Sequence, residues 1–391
     1  MKHAIENRVQ AILQEKVDQG EGAGFSVLVR REGEELLYAQ AGYAELEAKK
    51  ELSRDSIFRL YSMSKPMTSA AVMLLLERGA IDLLDPVSKY LPGFASPKIA
   101  KGGELVKAVR VPTLWDLLAM TSGTSYPDQR DEAGRAAEAF FAEDAALMAK
   151  GEGLDTVTFC DRLGGLPLAF EPGTEFRYGT SADILGAVVE VVSGKRFGDF
   201  LREEIFEPLG MKDTAFYVPE VKRDRLVHTY YLRDGQLEKW DGAHLCVSLP
   251  AVPPAFESGG AGLFSTIDDY AAFGQMLLDG GSYKGHRVLK ERTVELMTSP
   301  QLLPAMRDRF MQDWYGLMGF SYGHLLRVCV DPGAAMSLAV KGEYGWDGWL
   351  GTYFAALPKE GMELVLMQNR RIDRDNNDVV RRVRNVVLSA L

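Results

Sequence analysis

The stretch "FRLYSMSKPMTSAAVMLLLERG", Phe58 to Gly79, sets a short polar cluster at the mouth of a long apolar run. Ser62 and Lys65 stand at i and i+3, which on a helix puts both side chains on one face, about a turn apart. Pro66 and the run Ala70–Leu76 place the cluster in the first turn of a buried helix, with Gly79 as its stop. Backbone N–H groups at a helix N-terminus are unpaired and favour a developing oxyanion. The same positive end, together with burial, disfavours a protonated lysine. A neutral Lys65 could then take the proton of Ser62 and leave a nucleophile. Alone, however, an S-x-x-K is expected about once by chance in a chain this long, and its plain reading is a helix cap. The rest of the sequence has to decide.

The chain has 391 residues, 46% apolar and 26% charged, an ordinary globular composition with length enough for two domains. A net charge of −10 makes nucleic acid and anionic membrane poor partners. The densest basic cluster, Arg381, Arg382 and Arg384, lies on a predicted terminal helix and reads as a solvated face. Cys160, Cys246 and Cys329 are far apart and make no metal-ligand pattern, as do the five scattered histidines; buried thiols in a reducing compartment and no metal are expected. The first segment carries Ile5, Val9, Ile12, Leu13 and Val17 at helical spacing, an amphipathic helix rather than a signal peptide. No apolar run reaches the ~18 residues of a membrane span. A soluble, cytoplasmic protein is the expectation.

Strand signals sit near both ends. Phe25–Arg30 and Glu35–Ala41 flank a Glu32-Gly33 turn, and Leu350–Leu357 and Met362–Gln368 are joined by "PKEG"; both pairs read as antiparallel hairpins. A last helix starts near Asp378. Between them, "VPTLWDLLAMTSG", an Ala-rich stretch, "SADILGAVVEVVSG" and "FGDFLREEIFEPLG" read as helices. The predicted fold class is α+β. Its antiparallel sheet, flanked by the terminal helices, comprises residues 1–80 and 255–391, and residues 81–254 form an inserted, mainly helical domain.

With these elements in place, several stretches resemble the serine β-lactamase and penicillin-binding-protein superfamily, whose signatures include S-x-x-K. They are the Phe58–Gly79 segment with its continuation to Phe94, "VPTLWDLLAMTSG", "FEPGTEFRYGTSADILGAVVEVVSG", "IFEPLGMKDTAFYV" and "SGGAGLFSTIDDYAAFGQMLL". The closer likeness is to the class C-like branch that includes the family VIII carboxylesterases, and it runs from about Gly24 to Gln368. The resemblance implies that Ser62 is the nucleophile, with Lys65 and Tyr178 as its proton-transfer partners. Tyr178 follows a "PGT" turn, but Thr180 stands where β-lactamases of this type often carry an Asn that holds the acylamido side chain. No K-T-G occurs; Trp346-Asp347-Gly348 occupies its place, as W-x-G does in family VIII esterases. Trp346 thus replaces a lysine that would bind a substrate carboxylate. By position, the N–H groups of Ser62 and Trp349 form the oxyanion hole. The resemblance further implies that Trp346, Asp347, Gly348 and Tyr126 line the substrate pocket, and Ser258–Gly262 is expected to make a tight turn near the site.

A rival nucleophile exists in "GFSYG", Gly319–Gly323, which matches G-x-S-x-G. A nucleophile elbow needs a helix after the serine and a distant histidine. Here a strand-like "HLLRVCV" follows, and His324 comes too soon. The expectation is a serine hydrolase acting on small, mostly neutral esters without cofactor. A β-lactamase, D-peptidase, amidase or acyltransferase on the same fold is the first alternative, and a non-catalytic binding module the second.

Overall fold

The computed structural model describes residues 2–101, 103–371 and 378–390. Eight strands form its main sheet: β1 (Gly24–Arg31), β2 (Glu34–Glu45), β3 (Lys50–Glu51), β4 (Phe320–Tyr322), β5 (Arg327–Cys329), β6 (Tyr344–Asp347), β7 (Tyr353–Leu357) and β8 (Met362–Gln368). Their order is β4-β5-β6-β7-β8-β1-β2-β3. Every neighbouring pair is antiparallel, so the two expected hairpins lie side by side, with Phe25 opposite Gln368 and Arg31 opposite Met362.

Alternation along the strands sends side chains to two different cores. Phe25, Val27 and Val29 of β1 and Leu364 and Leu366 of β8 pack with Val9 and Leu13 of helix α1 (Lys2–Asp18) and Val383 and Val387 of the terminal helix Asp378–Leu388. Leu28, Val365 and Met367 face the other way, into a larger core. That core joins helix α2 (Lys65–Glu77), helix Ser181–Ser193 and helix Ile267–Leu278 without a break. The middle of the chain is helical where expected, at Leu114–Leu118 and Glu132–Met148, and it also carries a further helix, Thr156–Leu163, and small antiparallel strand pairs, Lys98–Lys101 with Glu104–Lys107 and Tyr230–Arg233 with Gln236–Lys239.

Two expectations fail locally. The strand expected from Leu350 begins at Tyr353, because Gly348–Gly351 closes a turn through a Gly351 N–H to Gly348 O bond of 2.9 Å. The arginine cluster is not uniformly solvated. Arg384 is 5% exposed and bonds Glu343, just before β6, at 2.5 and 3.0 Å, whereas Arg381 is exposed and Arg382 pairs with Glu15 of α1 at 2.7 Å. The register of the helix turns Arg384 inward beside Val383 and Val387, and the buried Glu343 meets it there.

Candidate active site

From Ser56 to Leu75 every residue is buried except Ser62. Tyr61–Ser64 form one 3-10 turn that runs directly into α2. Tyr61 enters it at φ 47°, the left-handed region that costs a bulky residue about 1–3 kcal/mol. Surrounding bonds hold this turn. Leu60 N–H donates to Leu263 O (2.9 Å), Leu263 N–H to Ser64 Oγ (3.1 Å), and Tyr270 OH to Met63 O (3.0 Å). The strap between residues 263 and 270 therefore fixes a strained turn that presents a single hydroxyl.

Lys65 is fully buried, with Nζ 3.1 Å from Ser62 Oγ, 3.2 Å from Tyr126 OH and 2.8 Å from Gly260 O. Burial pushes its pKa down to about 7, and the charge of Asp183 opposes that shift. The amine sits between two rings, 4.6 Å from the centroid of Tyr178 and 5.2 Å from that of Tyr126. The loop Ser258–Gly262 supplies the carbonyl. A Cβ on Gly260 would lie 2.4 Å from Tyr126 OH and 2.8 Å from Asp183 Oδ2, so only glycine lets the loop come this close.

Two clamps place the tyrosines. Arg177, next to Tyr178, pairs with Asp128 (3.0 Å) and Asp131 (2.9 Å), which tie it to the loop that carries Tyr126. Trp346 of β6 donates its indole N–H to Tyr178 OH at 3.1 Å and packs against the phenol ring. The carboxylate of its neighbour Asp347 pairs with the buried Arg327 at 2.6 Å. Gly348 lies against the residue that leads into the Ser62 turn: a Cβ there would meet Leu60 O at 2.4 Å and Thr352 Oγ1 at 2.0 Å.

Trp349 begins an aromatic wall. Its ring stacks on His244 at 4.1 Å and touches Tyr61 (5.0 Å), Trp240 (5.2 Å) and Tyr231 (6.0 Å). Among the described residues, the backbone N–H groups of Ser62 and Trp349 donate to no protein acceptor. The structure thus gathers Ser62, Lys65, Tyr126, Tyr178 and Trp346 into one cluster. Ser321 lies elsewhere, 1% exposed on β4 and followed by β5, so it is no nucleophile elbow.

Sequence reasoning missed Asp183, 2% exposed in the first turn of helix Ser181–Ser193. It accepts from Ser258 Oγ (2.5 Å), Gly260 N–H (3.0 Å) and Tyr126 OH (3.2 Å). The one available signal was an acid placed before the apolar run "ILGAVV". The aromatic wall was missed as well, since its members come from three separated segments. A surface cavity of 570 Å³ contains none of the cluster; Arg30, Lys212, Asp268 and Asp269 are among its lining residues.

The beta-lactamase family profile matches residues 9–388. Protein Rv1367c of Mycobacterium tuberculosis is 30% identical over 367 residues, 92% of this chain and 88% of its own. Esterase EstB of Burkholderia gladioli is 28% identical over 389 residues, 93% of this chain and 90% of its own. A solved structure described as EstCE1, a hydrolase with promiscuous acyltransferase activity, superposes with a TM-score of 0.82 at 26% identity and 99% coverage of both chains. The protein therefore belongs to the serine β-lactamase and penicillin-binding-protein-like superfamily, and within it is similar to the family VIII esterases.

Proposed function

We propose that this serine hydrolase is a carboxylesterase that cleaves small, mostly neutral esters through an acyl-Ser62 intermediate. Lys65, neutral near its lowered pKa, takes the Ser62 proton as Oγ attacks the ester carbonyl. The N–H groups of Ser62 and Trp349 receive the charge that builds on the carbonyl oxygen. Tyr178, whose oxygen accepts a hydrogen bond from Trp346, relays to the departing alcohol the proton that Lys65 took. Water then repeats the sequence against the acyl-enzyme.

Trp346 is the observation that carries the choice of ester over β-lactam. An indole stands where β-lactam-cleaving relatives place a lysine, and its only donor is engaged by Tyr178 rather than offered to a substrate carboxylate. The similarity to EstB points the same way. A panel of p-nitrophenyl esters of rising acyl length, run beside nitrocefin, tests this. The account expects kcat/KM for the best ester to exceed that for nitrocefin by about a hundredfold or more. Comparable or faster nitrocefin turnover would overturn it.

A second reading is supported by the aromatic wall around Trp349 and the similarity to EstCE1. An alcohol seated on such a wall would compete with water for the acyl-enzyme. Added alcohols should then divert product from free acid to new ester, measured by chromatography.

A further inference from the structure

The hydrogen count around Lys65 leaves one position open. Gly260 O can only accept, so it takes one N–H of the lysine, at 2.8 Å. Tyr126 has a single hydrogen and faces both Lys65 and Asp183, at 3.2 Å each. Asp183 already accepts from Ser258 and from Gly260 N–H, both on Oδ1, and presents Oδ2 to Tyr126. Ser258 in turn accepts from Ala261 N–H, so its hydrogen is committed to Asp183. Burial pushes the Asp183 pKa up, while Lys65 and the three donors around the carboxylate favour its charged form; as a carboxylate it has no hydrogen to give and draws that of Tyr126 to itself. Tyr126 can then only accept from Lys65. Both N–H groups of the neutral amine are used, and its lone pair is left facing Ser62 Oγ at 3.1 Å.

We propose that Asp183 is a positioning residue. By claiming the hydrogen of Tyr126 it orients the Lys65 lone pair onto Ser62, its carboxylate reaching the amine through that one phenol. The inference rests on the Ser62–Lys65 reading above. Lys65 faces Ser62, Tyr126, Tyr178 and Asp183. The other titratable groups that feel Asp183 are the buried thiols of Cys160 and Cys246. Replacing Asp183 by Asn keeps the oxygen toward Ser258 and Gly260 but puts an NH2 donor against Tyr126. The phenol then turns its hydrogen to the Lys65 lone pair, and Ser62 loses its base.

The test is the rate of Ser62 acylation, read as the burst of an activated ester across a pH range spanning neutrality, in wild type, Asp183→Asn, Tyr126→Phe and the double variant. Asp183→Asn should slow acylation about a hundredfold and move the acid limb to lower pH, because a nearby carboxylate no longer favours protonated Lys65. Tyr126→Phe should also slow acylation, and adding Asp183→Asn to it should cost less than about twofold more, since the two act in one chain. A wild-type rate and limb in Asp183→Asn would overturn the proposal. So would a slower rate with an unmoved limb, or losses that multiply in the double variant. If Asp183→Asn does not fold, Tyr126→Phe decides alone, a wild-type rate overturning the proposal. If wild type shows no Ser62 adduct, the underlying reading fails first, and the two failures are distinct.

Discussion

A lysine amine with no exposed surface stands beside the Ser62 hydroxyl, 3.1 Å away. Lys65 is held at a pKa of about 7 by burial. With the neutral amine as the base, as proposed, kcat/KM for an uncharged ester should rise with pH through about 7 and level off above it. The same shift is a stability statement. Between about 7 and the ordinary value of 10.5, the unfolded chain binds a proton that the native state does not. Stability from this group therefore rises with pH over that window and is flat below it. Thermal melts of wild type and Lys65→Met across the window check the sign: the slope should be smaller in the variant. At this scale the sequence was legible wherever chemistry follows local spacing. Ser62 and Lys65 share a turn, and Tyr178 and Trp346 sit in short motifs. Asp183 was not legible, because its partners come from Tyr126 and Ser258–Gly260, and an acid in a helix's first turn already has an explanation in the helix dipole.

Among the elements, a close fit is that of the turn after β6 against Leu60, which leads into the Ser62 turn. Gly348→Ala would drive a methyl group into Leu60 O and Thr352 Oγ1, backbone and a short side chain with little room to yield. The variant should lose about 2 kcal/mol in urea unfolding. Its kcat should fall more than that loss explains, since Leu60 leads directly into the Ser62 turn. Wild-type kcat in a destabilised variant would contradict the coupling. The hairpins and helices themselves were readable from alternation and turn residues, including Glu32-Gly33 and the "PKEG" connection. The late start of β7 at Tyr353 was not, because Leu350 is apolar for another reason: it packs with Tyr61 and Ala261 beneath the aromatic wall.

Across the whole molecule, the ends of the chain close the sheet on one face, and the site forms on the other. Arg384 and Glu343 pin the terminal helix to the sheet from within. Arg384→Ala leaves Glu343 buried without its partner and should cost about 3–5 kcal/mol, whereas exposed Arg381→Ala should stay within about 0.5 kcal/mol, both by urea unfolding. The α+β layout was legible from strands near both termini and helices between. Which arginine of a basic helix turns inward depends on its rotation against the sheet, which composition does not encode. No helix among the described residues is long and apolar enough to cross a membrane. The central claim, a nucleophile at Ser62, is tested most directly by mass spectrometry of the protein after treatment with an alkyl p-nitrophenyl phosphonate. One adduct is expected, on the peptide containing Ser62, abolished by Ser62→Ala and unchanged by Ser321→Ala. An adduct on another residue, or full ester turnover by Ser62→Ala, would contradict the account.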